Sequence, residues 1–149
     1  MLAMHSMKSA DKLNLKLEST LQELPVWTVQ IKLNQPGNEL AKLFDPEPLL
    51  PGIILTKNQK CVSIISRRLF FEQMSCPYGL GLFAGRPIEY LYNVLLPEIS
   101  ILSEDTPIVD ATQIVLERSP TLVYEPIVIT DQSSQYGLLD FHQLLLANS

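Results

Sequence analysis

Apolar residues fall along this chain in short runs separated by polar turns, with no long continuous stripe. "GIILT" (52–56) and "PIVIT" (126–130) are such runs, each followed by a polar stretch, "KNQK" or "DQSSQ". A second apolar run comes next, "CVSII" (61–65) or "YGLL" (136–139), and then an amphipathic stretch, "RRLFFEQM" or "FHQLLLA". Runs of this length bounded by turn residues predict two strands, after which the apolar period becomes that of a helix. So short a loop joins two strands only as an antiparallel pair.

The two stretches superimpose without a gap at a shift of 74 residues, which lays Ile53 on Ile127 and Thr56 on Thr130. The same shift lays "NELAKLFDPEPLL" (38–50) on "TQIVLERSPTLVY" (112–124), with Pro46 over Pro120. Both segments are expected to start helical and to end near that proline. For the second of them, Asp105 or Thr106 is the expected cap and Pro107 suits the first helical position. Short extended pieces, "VWTVQI" (26–31) and "SILS" (100–103), precede these helices. The pattern predicts an α/β (α+β) fold made of strand–helix–strand–strand–helix, twice over. The repeats are expected at 26–74 and 100–149, with a linker at 75–99 that turns helical around Glu89–Leu95. The N-terminal segment, 1–25, carries Leu13, Leu15, Leu17, Leu21 and Leu24. It is expected to be helical over 9–24 and to fold back on the domain or pair with a second subunit.

With 149 residues, 46% of them hydrophobic, the chain suffices for one domain or for two small halves. The net charge of −5, with Arg67-Arg68 the only adjacent basic pair, argues against nucleic acid and anionic membranes as partners. No apolar run nears the roughly 18 residues that cross a bilayer. Lysines and Asp11 interrupt the N-terminus too early for a signal-peptide core, so a cytoplasmic location is expected. Cys61 and Cys76 form neither a disulfide framework nor a CxxC pair, and His5 and His142 lie far apart, so no metal site is expected. No nucleophile elbow, P-loop or dinucleotide fingerprint is present, which points away from an enzyme.

The doubled pattern resembles a tandem pair of cystathionine-β-synthase (CBS) domains. "EDTPIVDATQIVLER" (104–118) is similar to that family's strand followed by a "TP-x-x-x-A" helix start, and "YEPIVITDQSSQYGLLDFHQLLLA" (124–147) to its strand–turn–strand–helix ending. Residues 66–88 are similar to CBS-like modules ahead of bacterial signalling output domains, such as histidine kinases and diguanylate cyclases. The resemblance implies two repeats about a pseudo-twofold axis, clefts between them that hold adenine nucleotides, and a homodimer. The family's nucleotide signature, Gly-apolar-apolar-Ser/Thr-x-x-Asp, falls here on Ser63-Ile64-Ile65-Ser66-Arg67-Arg68-Leu69 and on Gly137-Leu138-Leu139-Asp140-Phe141-His142-Gln143. Leu69 and Gln143 thus stand where the signature has Asp.

Ser66-Arg67-Arg68 is the notable departure from ordinary helix chemistry. Ser66 is a good N-cap, but two cations in a first turn oppose the helix dipole. A bound anion, an acidic partner side chain, or simple solvation and internal salt bridges would each account for them. Ser66, Arg67 and Arg68, with Thr56, Asp105, Thr106 and Arg86, form the candidate ligand-binding set. In the second repeat Asp140 with Gln143 suggests a capping box, and His142 a helix-surface residue. Trp27 is expected in the core. The expected function is a non-catalytic regulatory module for a small anionic ligand, an adenine nucleotide among the candidates. The alternative is a constitutive dimerisation scaffold with no ligand.

Overall fold

A computed structural model describes residues 18–149 in two compact units. The first comprises 29–98 and the second 18–28 with 99–149. The predicted N-terminal helix falls mostly on residues outside this range. Its described end forms a 3-10 turn at Leu21–Glu23 within the second unit.

In the first unit, strand β1 (Gln30–Lys32) leads to helix α1 (Asn38–Phe44), then β2 (Gly52–Lys57), β3 (Lys60–Ser66) and α2 (Arg67–Ser75). β2 is the central strand, parallel to β1 and antiparallel to β3. It is buried from Gly52 to Thr56, which is why its sequence is continuously apolar rather than alternating. Two further helices, α3 (Gly79–Phe83) and α4 (Ile88–Leu95), follow. The stretch expected as a linker is therefore largely helical, and it belongs to the first unit. The second unit repeats the plan with β4 (Ile101–Ser103), α5 (Ile108–Leu116), β5 (Ile127–Thr130), β6 (Tyr136–Leu139) and α6 (Phe141–Ala147). Its core joins Ile108, Ala111 and Val115 of α5, Ile127, Ile129 and Leu139 of the sheet, and Phe141 and Leu144 of α6. Leu21 and Leu24 complete that core from the N-terminal segment. Trp27 is buried as expected, and it exchanges backbone bonds in both directions with Leu138 as an isolated bridge.

The duplication is real at the level of hydrogen bonds. Ile53 faces Ile65 and Ile54 faces Ile64, as Ile127 faces Leu139 and Val128 faces Leu138. All four pairs keep the 74-residue shift. The helices do not. Leu33 N donates to Thr56 O as Glu104 N donates to Thr130 O, which fixes the shift upstream at 71 residues. The sequence match of 38–50 to 112–124 is therefore three residues out of register, and Pro46 and Pro120 are not equivalent. The difference lies in the helix-to-strand connection, 45–51 in one unit and 117–126 in the other.

Each unit also recruits a segment from outside its repeat. In the first, Gly37 N donates to Arg86 O, Ile88 N to Gln35 O and Glu89 N to Leu33 O. In the second, Ile108 N donates to Ser19 O, Leu21 N to Thr106 O and Gln22 N to Glu104 O. These ladders satisfy backbone groups where α1 and α5 begin, which no residue inside the helix can do. Asp105 and Thr106 do not cap α5. Pro107 holds the N-cap position without a side-chain bond, and the Ser19 carbonyl takes over the task. The close approach explains Gly37, where a Cβ would lie 2.2 Å from the Phe83 carbonyl oxygen. Gly137 is constrained likewise, since a Cβ there would meet Val26 Cγ2 at 2.7 Å. Gly37→Ala is expected to destabilise by roughly 3 kcal/mol, because a backbone must move. Gly137→Ala should cost less, about 1–2 kcal/mol, because the tightest contact is with a valine methyl that can rotate away, leaving a small shift to ease Val26 Cβ at 3.0 Å. Chemical denaturation of the two variants tests the order.

Candidate functional site

Ser66 ends β3 and starts α2, with extended backbone angles and its Oγ accepting from Leu69 N at 3.1 Å. The sequence expectation of a serine N-cap holds. Arg67 does not project as a free cation. Its Nε donates to Leu50 O at 2.9 Å, and its Nη2 donates to Phe44 O and Glu47 O. The guanidinium lies 4.9 Å from the Phe44 ring centre and 5.5 Å from that of Phe71. Phe44 in turn stacks on Phe70 at 5.3 Å. Arg67 thus ties the α1-to-β2 connection to the start of α2, and burial lowers its pKa while Asp45 pulls it back up. A flat, five-donor group is what such a set of carbonyls requires.

Arg68 is exposed and pairs with Glu72 at 2.9 Å, one helical turn on. The remaining candidates are dispersed. Thr56 stands at the opposite end of β2 from the Ser66 turn, about four residues or roughly 13 Å along the strand. Its hydroxyl donates to Ile31 O. Arg86 lies at that same far end, in the segment that meets Gly37, with its guanidinium 4.5 Å from the Tyr90 ring centre. Asp105 and Thr106 follow β4 in the second unit, beside Thr130. The structure therefore groups Ser66–Arg68 at one end of the first sheet and Thr56 with Arg86 at the other.

Arg118, which carries no recognisable signal in the sequence, is the second unit's counterpart of Arg67. It donates to Val115 O, Val123 O, Glu125 O and Ser100 Oγ, closing the α5-to-β5 connection. Burial lowers its pKa and Glu125 opposes that. The capping box expected at Asp140 and Gln143 is not formed: Asp140 holds the N-cap position without a capping side-chain bond. Burial raises the Asp140 pKa, opposed by His142 and by the amides of His142 and Phe141.

A cleft of about 150 Å³ opens in the second unit. Leu21, Leu24, Val26 and Ile129 form its apolar part, and Gln22, Glu104, Asp131 and Gln135 its polar part. None of these polar residues was singled out in the sequence. The 74-residue register hides Glu104, which matches Leu33 only at a shift of 71, whereas Asp131 falls on Lys57 at the 74-residue shift and reads there as an ordinary turn residue. Among the described residues no group of three or more His, Cys, Asp or Glu side chains is placed to hold a metal, and no helix is long and apolar enough to cross a membrane.

No protein-family model matches the sequence, and no curated protein sequence matches it. Solved structures do match. The CBS domains of a transcriptional regulator from Streptococcus pneumoniae share 10% identity at a TM-score of 0.61, over 85% of this chain and 97% of that one. CBSX2 in complex with AMP shares 13% identity at a TM-score of 0.52, over 95% and 96%. The cytosolic domain of the Mg2+ channel MgtE in complex with ATP shares 10% identity at 0.61, over 92% of this chain and half of that one. The fold is that of a tandem pair of CBS domains.

Two outcomes follow from these placements. Arg67→Ala should destabilise by about 2–4 kcal/mol, since it strands buried carbonyls, and Arg67→Lys should restore only part of that. Arg68→Ala should change stability by less than about 0.5 kcal/mol. Denaturation of the three variants checks both. For Asp140 the sign runs the other way from an ion-paired carboxylate. Its raised folded pKa means the folded state holds the proton more tightly, so stability falls as pH rises through and above the ordinary value of about 4. Asp140→Asn, which removes that penalty, should melt above the wild type at pH 7, and the difference should shrink as the pH falls toward 4. A constant or reversed difference across a pH series would contradict this.

Proposed function

We propose that this chain is a non-catalytic regulatory module that binds a small anionic ligand, an adenine nucleotide being the first to test, at the Ser66–Arg68 turn of the first unit. The observation that supports this most is the fold: two proteins that share it were solved with AMP and with ATP. Locally, the positive end of the nine-residue α2 and the exposed guanidinium of Arg68 favour negative charge, even though Ser66 Oγ and Pro51 O already accept from Leu69 N and Arg67 N. Arg67 contributes to the shape of this turn rather than its charge, since its donors point into the protein. The module would act on a signalling partner, a histidine kinase or diguanylate cyclase output domain, only if the ligand favours one arrangement over another.

A second reading, a ligand-free homodimerisation scaffold, is favoured by one observation. α5 exposes Val109, Ile114 and Leu116, and α6 exposes Leu145 and Leu146, apolar side chains that a second copy would cover.

Thermal unfolding with AMP, ADP, ATP and plain phosphate separates the readings. A ligand at about 100 times its dissociation constant adds about 2.7 kcal/mol, a rise of roughly 5–10 °C at this size. The rise should be lost in Arg68→Ala, whose own stability is unchanged. A rise that survives in Arg68→Ala moves the site away from this turn. No rise with any ligand, together with a dimer by sedimentation, supports the scaffold.

A further inference from the structure

The cleft of the second unit has a counterpart position in the first, and the two differ in charge. The ladders place Glu89 where the second unit has Gln22, and Leu33 where it has Glu104. Lys57 and Asp131 each follow the threonine whose carbonyl accepts from Leu33 N or Glu104 N. In the first unit Lys57 Nζ meets Glu89 Oε2 at 3.0 Å, and Leu33 is buried. In the second unit the lysine is replaced by a carboxylate, and the buried leucine by another. Among the described residues, every charged side chain that lines the cleft is thus an anion.

We propose that this cleft binds a small organic cation, an alkylammonium whose charge takes the place that the Lys57 ammonium has in the first unit. Glu104 and Asp131 would face the charge, and the hydrocarbon body would lie on Leu21, Leu24, Val26 and Ile129. Both carboxylates line the same cleft, and a cation held there would give their charge a partner of the kind that Glu89 has in Lys57. Asp131 is held in place, its Oδ1 accepting from Ser133 N at 2.8 Å and Gln135 N at 2.9 Å. The volume suits a guest of about benzene size, since apolar cavities of roughly 150 Å³ hold one. Phosphates are repelled here, so the inference is independent of the nucleotide reading.

Amide chemical shifts of the full chain, titrated with butylammonium chloride and with 1-butanol as the uncharged comparator, test it. Butylammonium should give saturable shifts at Gln22, Glu104, Asp131 and Gly137, with an affinity about five- to tenfold above that of butanol. Asp131→Asn keeps the Oδ1 acceptor and hence the hairpin, and should weaken butylammonium by a similar factor while leaving butanol unchanged. Asp131→Lys, which supplies the cation from the chain itself, should abolish butylammonium binding. Equal affinity for the two probes, shifts confined to other residues, or an Asp131→Asn variant that binds butylammonium undiminished would each overturn the proposal.

Discussion

The amides that begin α1 and α5 are met by carbonyls from outside the strand–helix–strand–strand–helix repeat, Arg86 O for Gly37 and Ser19 O for Ile108. A helix leaves its first N–H groups without internal partners, and burying them unpaired costs about 1–3 kcal/mol each. The repeat therefore does not close on itself. Each copy needs a borrowed strand-like segment, and much else follows from where that segment lies. It requires a glycine at position 37, it brings Glu89 to Lys57, and it forms one wall of the cleft in the second unit.

The strands and the final helix of each repeat were legible because their signals are local. An apolar run, a polar turn and a second apolar run leave one antiparallel solution, and the paired registers agree with it. The upstream helices were legible as elements but not in register, since three residues are inserted in a loop where only tertiary bonds mark the equivalence. The borrowed segments were not legible at all. "STLQ" and "RPIE" share no composition, because their common role is carried by backbone groups. The start of α5 was illegible for the same reason: Asp105 and Thr106 have suitable side chains, and a backbone carbonyl took the task instead, whereas Asp140 holds the N-cap position of α6 that its sequence suggests.

The arginine pair shows how one local oddity divides into two different physical roles. Arg67 opposes the dipole of α2, yet its guanidinium is turned back onto three carbonyls and two aromatic rings. Those bonds outweigh a dipole effect of at most about 1 kcal/mol. Arg118 performs the same closure in the second unit from an unrelated position in the chain, so the need belongs to the helix-to-strand connection and not to a conserved place in the repeat. What remains for ligand chemistry is asymmetric. The first unit offers a capped helix start with one exposed cation, and the second offers carboxylates around an apolar cleft.

Native-state hydrogen exchange at the amides of Gly37, Ile88, Leu21 and Ile108 tests the dependence on borrowed segments most directly. If the two ladders complete the units, these four amides exchange only through openings close in free energy to global unfolding, alongside those of β2 and β5. Exchange as fast as that of the exposed turn at Gln132–Ser133, with the strands still protected, would show that each repeat stands without its borrowed segment and would contradict the account.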